Sequence, residues 1–454
     1  MRQAPRRSGQ KTEGTVRVHM APVGETAQAT VGWRETTVSM RTDDIDAPIA
    51  ATPAKDDPER ESQPELALPI YLDGHATTPL APEALDAMTP WWHAQAGNPN
   101  SPHRHGQFAG AAVEAARQRV AGLIGASPNE IYFTSGATEA NNLAIVGSAL
   151  AARTRGDDRN GVIVSQIEHK SVLNAAHALE RDGFSVAIAP VNAAGQIDLP
   201  SLAALISRDT LLVSVMAANN EIGALEPLAE IAEIARESGV LLHVDAAQMV
   251  GKLPFKACAF DLVSLSSHKM YGPMGIGALY VSSASPFRPL PILHGGDQEA
   301  GLRPGTIATP LVVGFGVAAD LATRRLRADA EHSASLAEHF EQALRDRQVR
   351  YIRHGEARHR LPGSVSIAFE GVDATELIAA VSSDISISEG SACQSGQIIP
   401  SHVLRAIGLS DSISRSTVRL YFGRYNSDRH VVIAADAIAA AVAKLRLRTG
   451  DRLQ

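Results

Sequence analysis

Ser264-Leu265-Ser266-Ser267-His268-Lys269 closes an apolar run, Phe260 to Ser264, that reads as a buried strand. A hydroxyl, an imidazole and an amine therefore arrive together at the carboxyl end of that strand. In open α/β sheets ligands sit just beyond such ends. A lysine desolvated there sheds its charge and becomes a Schiff-base nucleophile. Taken alone, the hexapeptide reads more simply as a surface lysine in a polar loop. The weight falls on whether the rest of the chain supplies what a lysine-held cofactor needs.

Around it, short apolar runs without polar alternation recur: Gly161 to Ser165, Ser185 to Ala189, Leu211 to Met216, Val240 to Val244, Asp261 to Ser264 and Ala278 to Val281. Strands covered on both faces look like this. Helical patterns separate several of them, notably Thr138 to Arg153, Ser171 to Arg181 and Leu228 to Glu237, and Pro82 to Trp92 and Gln107 to Ile124 precede them. The prediction is an α/β fold, a mostly parallel sheet with helices on both faces. A long helix from Pro310 towards Arg347 leads into a strand, Ser364 to Phe369, a helix, Ala374 to Val381, a polar loop, a strand, Thr417 to Phe422, and a last helix. We expect a large domain over 80–325 and a smaller α+β domain built from 66–79 and 326–454. Residues 1–65 are basic, then acidic, and lack a sustained apolar period, which predicts a disordered leader.

With 454 residues, 44% of them hydrophobic, the chain can bury a large core. A net charge of −7 gives no reason to expect nucleic acid or an acidic membrane as partner. Two cysteines, Cys258 and Cys393, make no disulfide framework and suit a reducing cytoplasm. No apolar run has the length of a membrane span.

Several strand ends carry candidate chemistry. Thr134-Ser135-Gly136-Ala137-Thr138-Glu139 turns a strand into a helix whose free N–H groups face any phosphate placed there; it is also an ordinary helix start. His243-Val244-Asp245-Ala246-Ala247-Gln248 puts a carboxylate where it pairs either with a protonated pyridine nitrogen or with His243 or an arginine. His169, in Glu168-His169-Lys170, offers a ring for stacking or proton transfer, and Asn219-Asn220-Glu221 offers an amide donor or a plain turn. Cys393 lies in a loop of small residues, Ser388 to Gly396, open enough for a reactive thiol, whereas Cys258 beside Ala257 and Phe260 reads as buried. No histidine set has metal-ligand spacing, so no metal is expected. A Gly-x-Gly-x-x-Gly turn is missing after the first strand, which disfavours nicotinamide binding.

Together these pieces resemble the group I cysteine desulfurases, the NifS/IscS type of fold-type-I pyridoxal phosphate enzymes in the class V aminotransferase family. The resemblance runs from Ile70 to Leu445 and adds Tyr71-Leu72-Asp73, Ala76-Thr77-Thr78-Pro79, Gly97-Asn98-Pro99, Gly301 to Thr306, Gly390-Ser391-Ala392-Cys393 and Pro400 to Arg405, all in family order. It implies that Lys269 carries the cofactor through an imine, that Asp245 pairs with the ring nitrogen, and that His169 stacks on the ring as an acid–base. By the same resemblance Asn220 and Gln248 contact the ring oxygen. Ala137, Thr138, Ser266 and His268 cup the phosphate, and Thr306 comes from a second subunit, implying a homodimer. Arg419 grips the carboxylate of L-cysteine, with Asn98 on the substrate side. Cys393 receives the sulfur as a persulfide, alanine leaves, and a sulfur-acceptor protein of iron–sulfur cluster assembly or thiolation takes the sulfur. Ser267 and Asp297 depart from the pattern, standing where glycines are usual. The rival readings are another pyridoxal phosphate enzyme of this fold, a selenocysteine lyase or aminotransferase, and a non-catalytic partner-binding relative.

Overall fold

The computed structural model describes residues 68–356, 358–389 and 401–451. The expected leader and Cys393 lie outside the described residues. The chain enters as a short strand, β1 (Ile70–Tyr71), followed by α1 (Pro82–Met88), α2 (Pro90–His93) and α3 (Arg104–Ile124). A seven-stranded sheet then forms from β2 (Ile131–Thr134), β3 (Gly161–Ser165), β4 (Ser185–Ala189), β5 (Thr210–Met216), β6 (Leu241–Asp245), β7 (Leu262–Ser266) and β8 (Gly277–Val281). Between its strands run α4 (Ala137–Thr154), α5 (Lys170–Glu180), α6 (Leu199–Leu205) and α7 (Leu228–Ser238).

The strand order is β2-β8-β7-β6-β5-β3-β4, parallel throughout except for β8, which runs antiparallel to both β2 and β7. Every residue of β5, β6, β7 and β8 is buried, as the apolar runs predicted. Alternate side chains of β5 and β7 go to opposite faces. Val213, Val215, Val263 and Leu265 pack with α3 and the next long helix, and Leu212 and Leu262 pack with α4 and α5. Each such side chain contributes roughly 1.5–3 kcal/mol by leaving water.

After β8 comes α8 (Thr309–Asp346), whose first half (Val312, Phe315, Ala319) belongs to the sheet core. Its second half (Leu336, Phe340, Leu344) packs in a separate core with β10 (Ser364–Ala368), α9 (Ala374–Val381), β11 (Ile385–Ser386), β13 (Thr417–Tyr421) and α12 (Asp428–Asp451). β9 (Ile352–Arg353), β12 (Ser388–Glu389) and α11 (Asp411–Arg415) complete this part of the chain, and α10 (His402–Ala406) packs instead through Val403 and Leu404 against Ile167, Met216 and Ile222. Where α8 crosses α3, a Cβ on Gly316 would stand 2.6 Å from Ala116 Cβ, so only glycine lets these helices approach. β12, β13, β10 and β9 form a four-stranded antiparallel sheet, and β1 pairs parallel with β11.

Two local expectations are corrected. The helix read over Pro82 to Trp92 is two helices, because Pro90 has no N–H to continue the first and starts the second. Cys258 is exposed rather than buried. It is the middle residue of a 3-10 turn, Ala257–Ala259, in which Ala257 alone faces the core. Among the described residues no helix is long and apolar enough to cross a membrane.

Candidate active site

The C-terminal ends of β3, β5, β6 and β7 lie side by side, since these strands are parallel. They deliver His169, Asn220, Asp245 and Lys269 to one edge of the sheet. Beyond Ser266 the chain makes a 3-10 turn, Ser267–Lys269, and Tyr271 sits at φ 66°. A left-handed tyrosine is strained, and such strain persists only where packing over-determines it. Here Thr78 Oγ1 accepts from Tyr271 N at 2.7 Å, and Tyr271 O accepts from Ala81 N at 2.9 Å. The segment 73–81 thus crosses the lysine turn and clamps it.

The Lys269 amine donates to the carbonyl of His75 and, at 2.7 Å, to that of Ala76. Desolvation lowers its pKa to about 8, helped by Arg419 and opposed by Asp73 and Asp245. A useful fraction of neutral amine is then present near neutrality. His268 Nδ1 meets Thr77 Oγ1 at 3.0 Å and is held neutral, its pKa pushed down to about 4 by burial and by Lys269 and Lys252.

Asp245, 6% exposed, is paired with neither His243 nor an arginine. Its Oδ2 accepts from Asn141 Nδ2 at 2.8 Å and its Oδ1 from Ala247 N at 3.0 Å. His243 faces away, between Ser214 Oγ (2.7 Å) and Ser264 Oγ (2.9 Å). Asn141 also reaches Ser171 Oγ at 2.8 Å, and that hydroxyl meets His169 Nδ1 at 2.7 Å. One buried amide on α4 thus ties the expected ring-nitrogen partner to the expected stacking imidazole. Sequence reading missed it. The available signal was its spacing, one helical turn after Ala137, at a polar position among apolar ones.

Of the two neighbouring asparagines, Asn219 is consumed by structure: its Oδ1 accepts from Glu221 N and Ile222 N, and its Nδ2 donates to Ile167 O. Asn220, half-buried, keeps its side chain for the site while its carbonyl accepts from Arg419 Nη1 at 3.1 Å. Arg419, central in the small sheet, gives its other amino group to Asp73 Oδ1 at 2.7 Å. Ser388, in β12, donates to the other oxygen of Asp73 at 2.6 Å. Asp73 was quoted in the sequence for its motif alone; its role is to hold the arginine. Gln248 donates to His75 O at 2.9 Å.

Ala137 and Thr138 open α4, whose N-cap Gly136 has no side-chain capping bond. Those first-turn N–H groups stay available. Ser266 pairs across the sheet with Gly277, and a Cβ on Gly277 would stand 2.7 Å from Gly136 Cα. This close approach puts the helix start beside the lysine strand. Ser266 Oγ is buried and has no hydrogen-bond partner among the described residues. Two expected residues are not joined to this cluster by any bond among the described residues. Asn98 is exposed, its Oδ1 accepting from Asn100 N, and Thr306 is exposed in the loop before α8. That loop is tied to α4 by Arg303, which bonds Glu139 at 2.9 Å.

The floor of the site is acidic and buried. Glu168 is pushed well above the usual carboxylate range by burial and by Asp245, and Glu226 up to about 8 by burial. Glu226 Oε2 accepts from Ile197 N at 2.8 Å and its Oε1 has no partner. Because the folded state holds this proton and the unfolded chain releases it near 4.5, its stabilisation is complete below 4.5. It is lost as pH rises through about 8. Glu226→Gln removes that dependence. In urea titrations its stability relative to wild type should rise by up to about 1.4 kcal/mol per pH unit between pH 5 and 7.5. A constant difference across that range would show that Glu226 is ionised in the fold.

These residues fit pyridoxal phosphate. An amine of lowered pKa, a carboxylate held by an amide, an orphaned buried hydroxyl and uncapped helix N–H groups supply an imine former, a pyridinium partner and phosphate donors. Comparison with known proteins agrees. The aminotransferase class-V family model matches residues 70–432. Cysteine desulfurase IscS of Rickettsia felis is 44% identical over 382 residues, 84% of this chain and 92% of that protein. Among solved structures, a NifS-like protein superposes with a TM-score of 0.77 at 33% identity, covering 83% of this chain and all of that one. A structure described as SspA in complex with cysteine superposes at 0.69 and 38% identity, over 79% of this chain and all of its own.

Proposed function

The chain belongs to the aminotransferase class-V family and is a cysteine desulfurase, and from that premise we propose how its residues carry out the reaction. L-cysteine and the Cys393 thiol give L-alanine and a persulfide on Cys393, from which an acceptor protein takes the sulfur. The observation that carries this reading is the Lys269 amine, lowered to about 8, at the end of β7 beside Asp245 and Ser266.

Pyridoxal phosphate bound there supplies an electron sink for bonds broken at the substrate's α-carbon. Lys269 would hold it, and its amine, lowered to about 8, is the base that would take the substrate's α-proton. Asp245 keeps the ring nitrogen protonated by accepting its N–H. Asn141 holds Asp245 for this, and His169 stands against the ring, oriented by Ser171. Asn220 and Gln248 address the ring oxygen, and Ala137, Thr138, Ser266 and His268 receive the phosphate. Arg419, steadied by Asp73, binds the substrate carboxylate. Cys393 Sγ attacks the substrate sulfur: the S–S bond forms, the C–S bond breaks, and its electron pair goes to the carbon that becomes alanine's methyl group. Asn98 lies on the substrate side, and Thr306, exposed here, serves the phosphate of a second subunit in a homodimer. We assign cofactor binding to residues 80–325 and the substrate arginine and cysteine loop to 326–454 with 66–79, in a cytoplasmic protein.

L-cysteine-dependent production of alanine, and of sulfide when a thiol reductant is added to reduce the persulfide, by the protein supplied with pyridoxal phosphate tests the activity. Keto acid in place of alanine would make it an aminotransferase. Asn141→Ala tests the support of Asp245. It leaves a buried carboxylate oxygen without its donor, worth about 1–3 kcal/mol. We expect turnover to fall roughly ten- to hundredfold with the cofactor weakly retained; unchanged kinetics would remove Asn141 from the site.

A further inference from the structure

Lys252 is 5% exposed, and among the described residues it has no carboxylate partner. Its amine donates to Gln248 Oε1 at 3.0 Å and lies 4.8 Å from the centre of the Tyr421 ring. Burying an amine this way is unfavourable, because its charged form loses its hydration and no carboxylate replaces it. The backbone is shaped for it. Gly251 turns at φ 82°, where a Cβ would stand 2.7 Å from Met270 Cβ, and this folds Lys252 back beneath Gln248.

Gln248 has two chemically different ends. Its Oε1 is met by Lys252 and, at 3.3 Å, by His75 Nδ1, and His75 Nε2 is engaged by Ser364 Oγ at 2.9 Å. Its Nε2 points the other way, to the His75 carbonyl that also receives the Lys269 amine. A flipped amide would set N–H against N–H on a buried face and leave an acceptor towards the lysine. The two donors on Oε1 therefore fix which end of Gln248 faces Lys269.

We propose that Lys252 is a positioning residue that acts through Gln248, keeping the amide N–H aimed at the ring oxygen of the cofactor carried on Lys269. This rests on the reading of the site as a pyridoxal phosphate site. It adds a residue that touches neither substrate nor cofactor and whose effect belongs to one atom of the ligand.

The experiment compares pyridoxal phosphate with its 3-deoxy analogue, which keeps the aldehyde and phosphate but lacks the ring oxygen. Dissociation constants are measured for wild type, Lys252→Met, Gln248→Ala and the double variant, with the melting temperature of each cofactor-free protein as a folding control. Lys252→Met should weaken pyridoxal phosphate about tenfold, the scale of one hydrogen bond. It should leave the analogue within about twofold, and add nothing in the Gln248→Ala background. Its melting temperature should equal or exceed that of wild type, because an apolar side chain replaces a buried amine. Lys252→Gln, read by the same titrations, provides a second, polar variant. Equal losses for both ligands, unchanged affinity for pyridoxal phosphate, or losses that add to those of Gln248→Ala would each overturn the proposal. Wild type that takes up neither ligand would overturn the reading of the site and the inference with it.

Discussion

Lys269→Ala should fold, should still bind pyridoxal phosphate through its phosphate and ring, and should show none of the visible absorbance of the lysine-joined cofactor. Folding survives because, among the described residues, the amine's hydrogen bonds go to the carbonyls of His75 and Ala76, at the polar edge of the sheet. The clamp on the turn is made by Thr78 and Tyr271 rather than by the lysine side chain. Turnover of L-cysteine should fall by at least about 10³-fold, since one residue supplies both the covalent anchor and the proton acceptor. Borohydride treatment of wild type followed by peptide mapping should put the pyridoxyl group on residue 269. A label on 252, or a visible band that persists in Lys269→Ala, would move the anchor elsewhere.

The place of the proposed anchor was readable because a strand end announces itself. An apolar run that stops at Ser266 and is followed by a histidine and a lysine places those side chains at one edge of the sheet. Asp245 and His169 were readable for the same reason: Asp245 is the last residue of the parallel strand β6, and His169 follows β3 by four residues. What stayed hidden was who holds whom. Asn141 lies on α4 and meets Asp245 only because that helix packs over β6, a contact between residues 104 positions apart. Lys252 looks like any lysine after a glycine until Gly251 is seen to fold it inwards. The reversed direction of β8 was equally silent, because an apolar run carries no sign of its polarity. Cys258 misled because its apolar neighbours suggested a buried run, whereas a three-residue turn sends only one of them inside. The family resemblance supplied the roles; the structure supplied the supports.

Cys393→Ser should separate the two halves of the chemistry. The serine variant should keep the visible band of wild type and still exchange the substrate α-proton with solvent. Both depend on Lys269, Asp245 and Arg419; Asn141 holds Asp245, and Asp73 and Asn220 hold Arg419. Sulfur transfer should fall below detection, because serine's hydroxyl is a poor nucleophile towards a substrate thiol and cannot carry a persulfide. The chain has one other cysteine, Cys258, and its exposure makes it a rival site for thiol labelling. An exposed thiol can take the outer sulfur of a persulfide by thiol–persulfide exchange, leaving the donor as a thiol, so a persulfide assay on wild type alone proves little. Cys258→Ser should retain both the band and L-cysteine-dependent persulfide, on residue 393. A persulfide that forms at wild-type rate in Cys393→Ser and is lost in Cys258→Ser would transfer the sulfur-bearing role to the turn after Lys256 and overturn the proposed reaction.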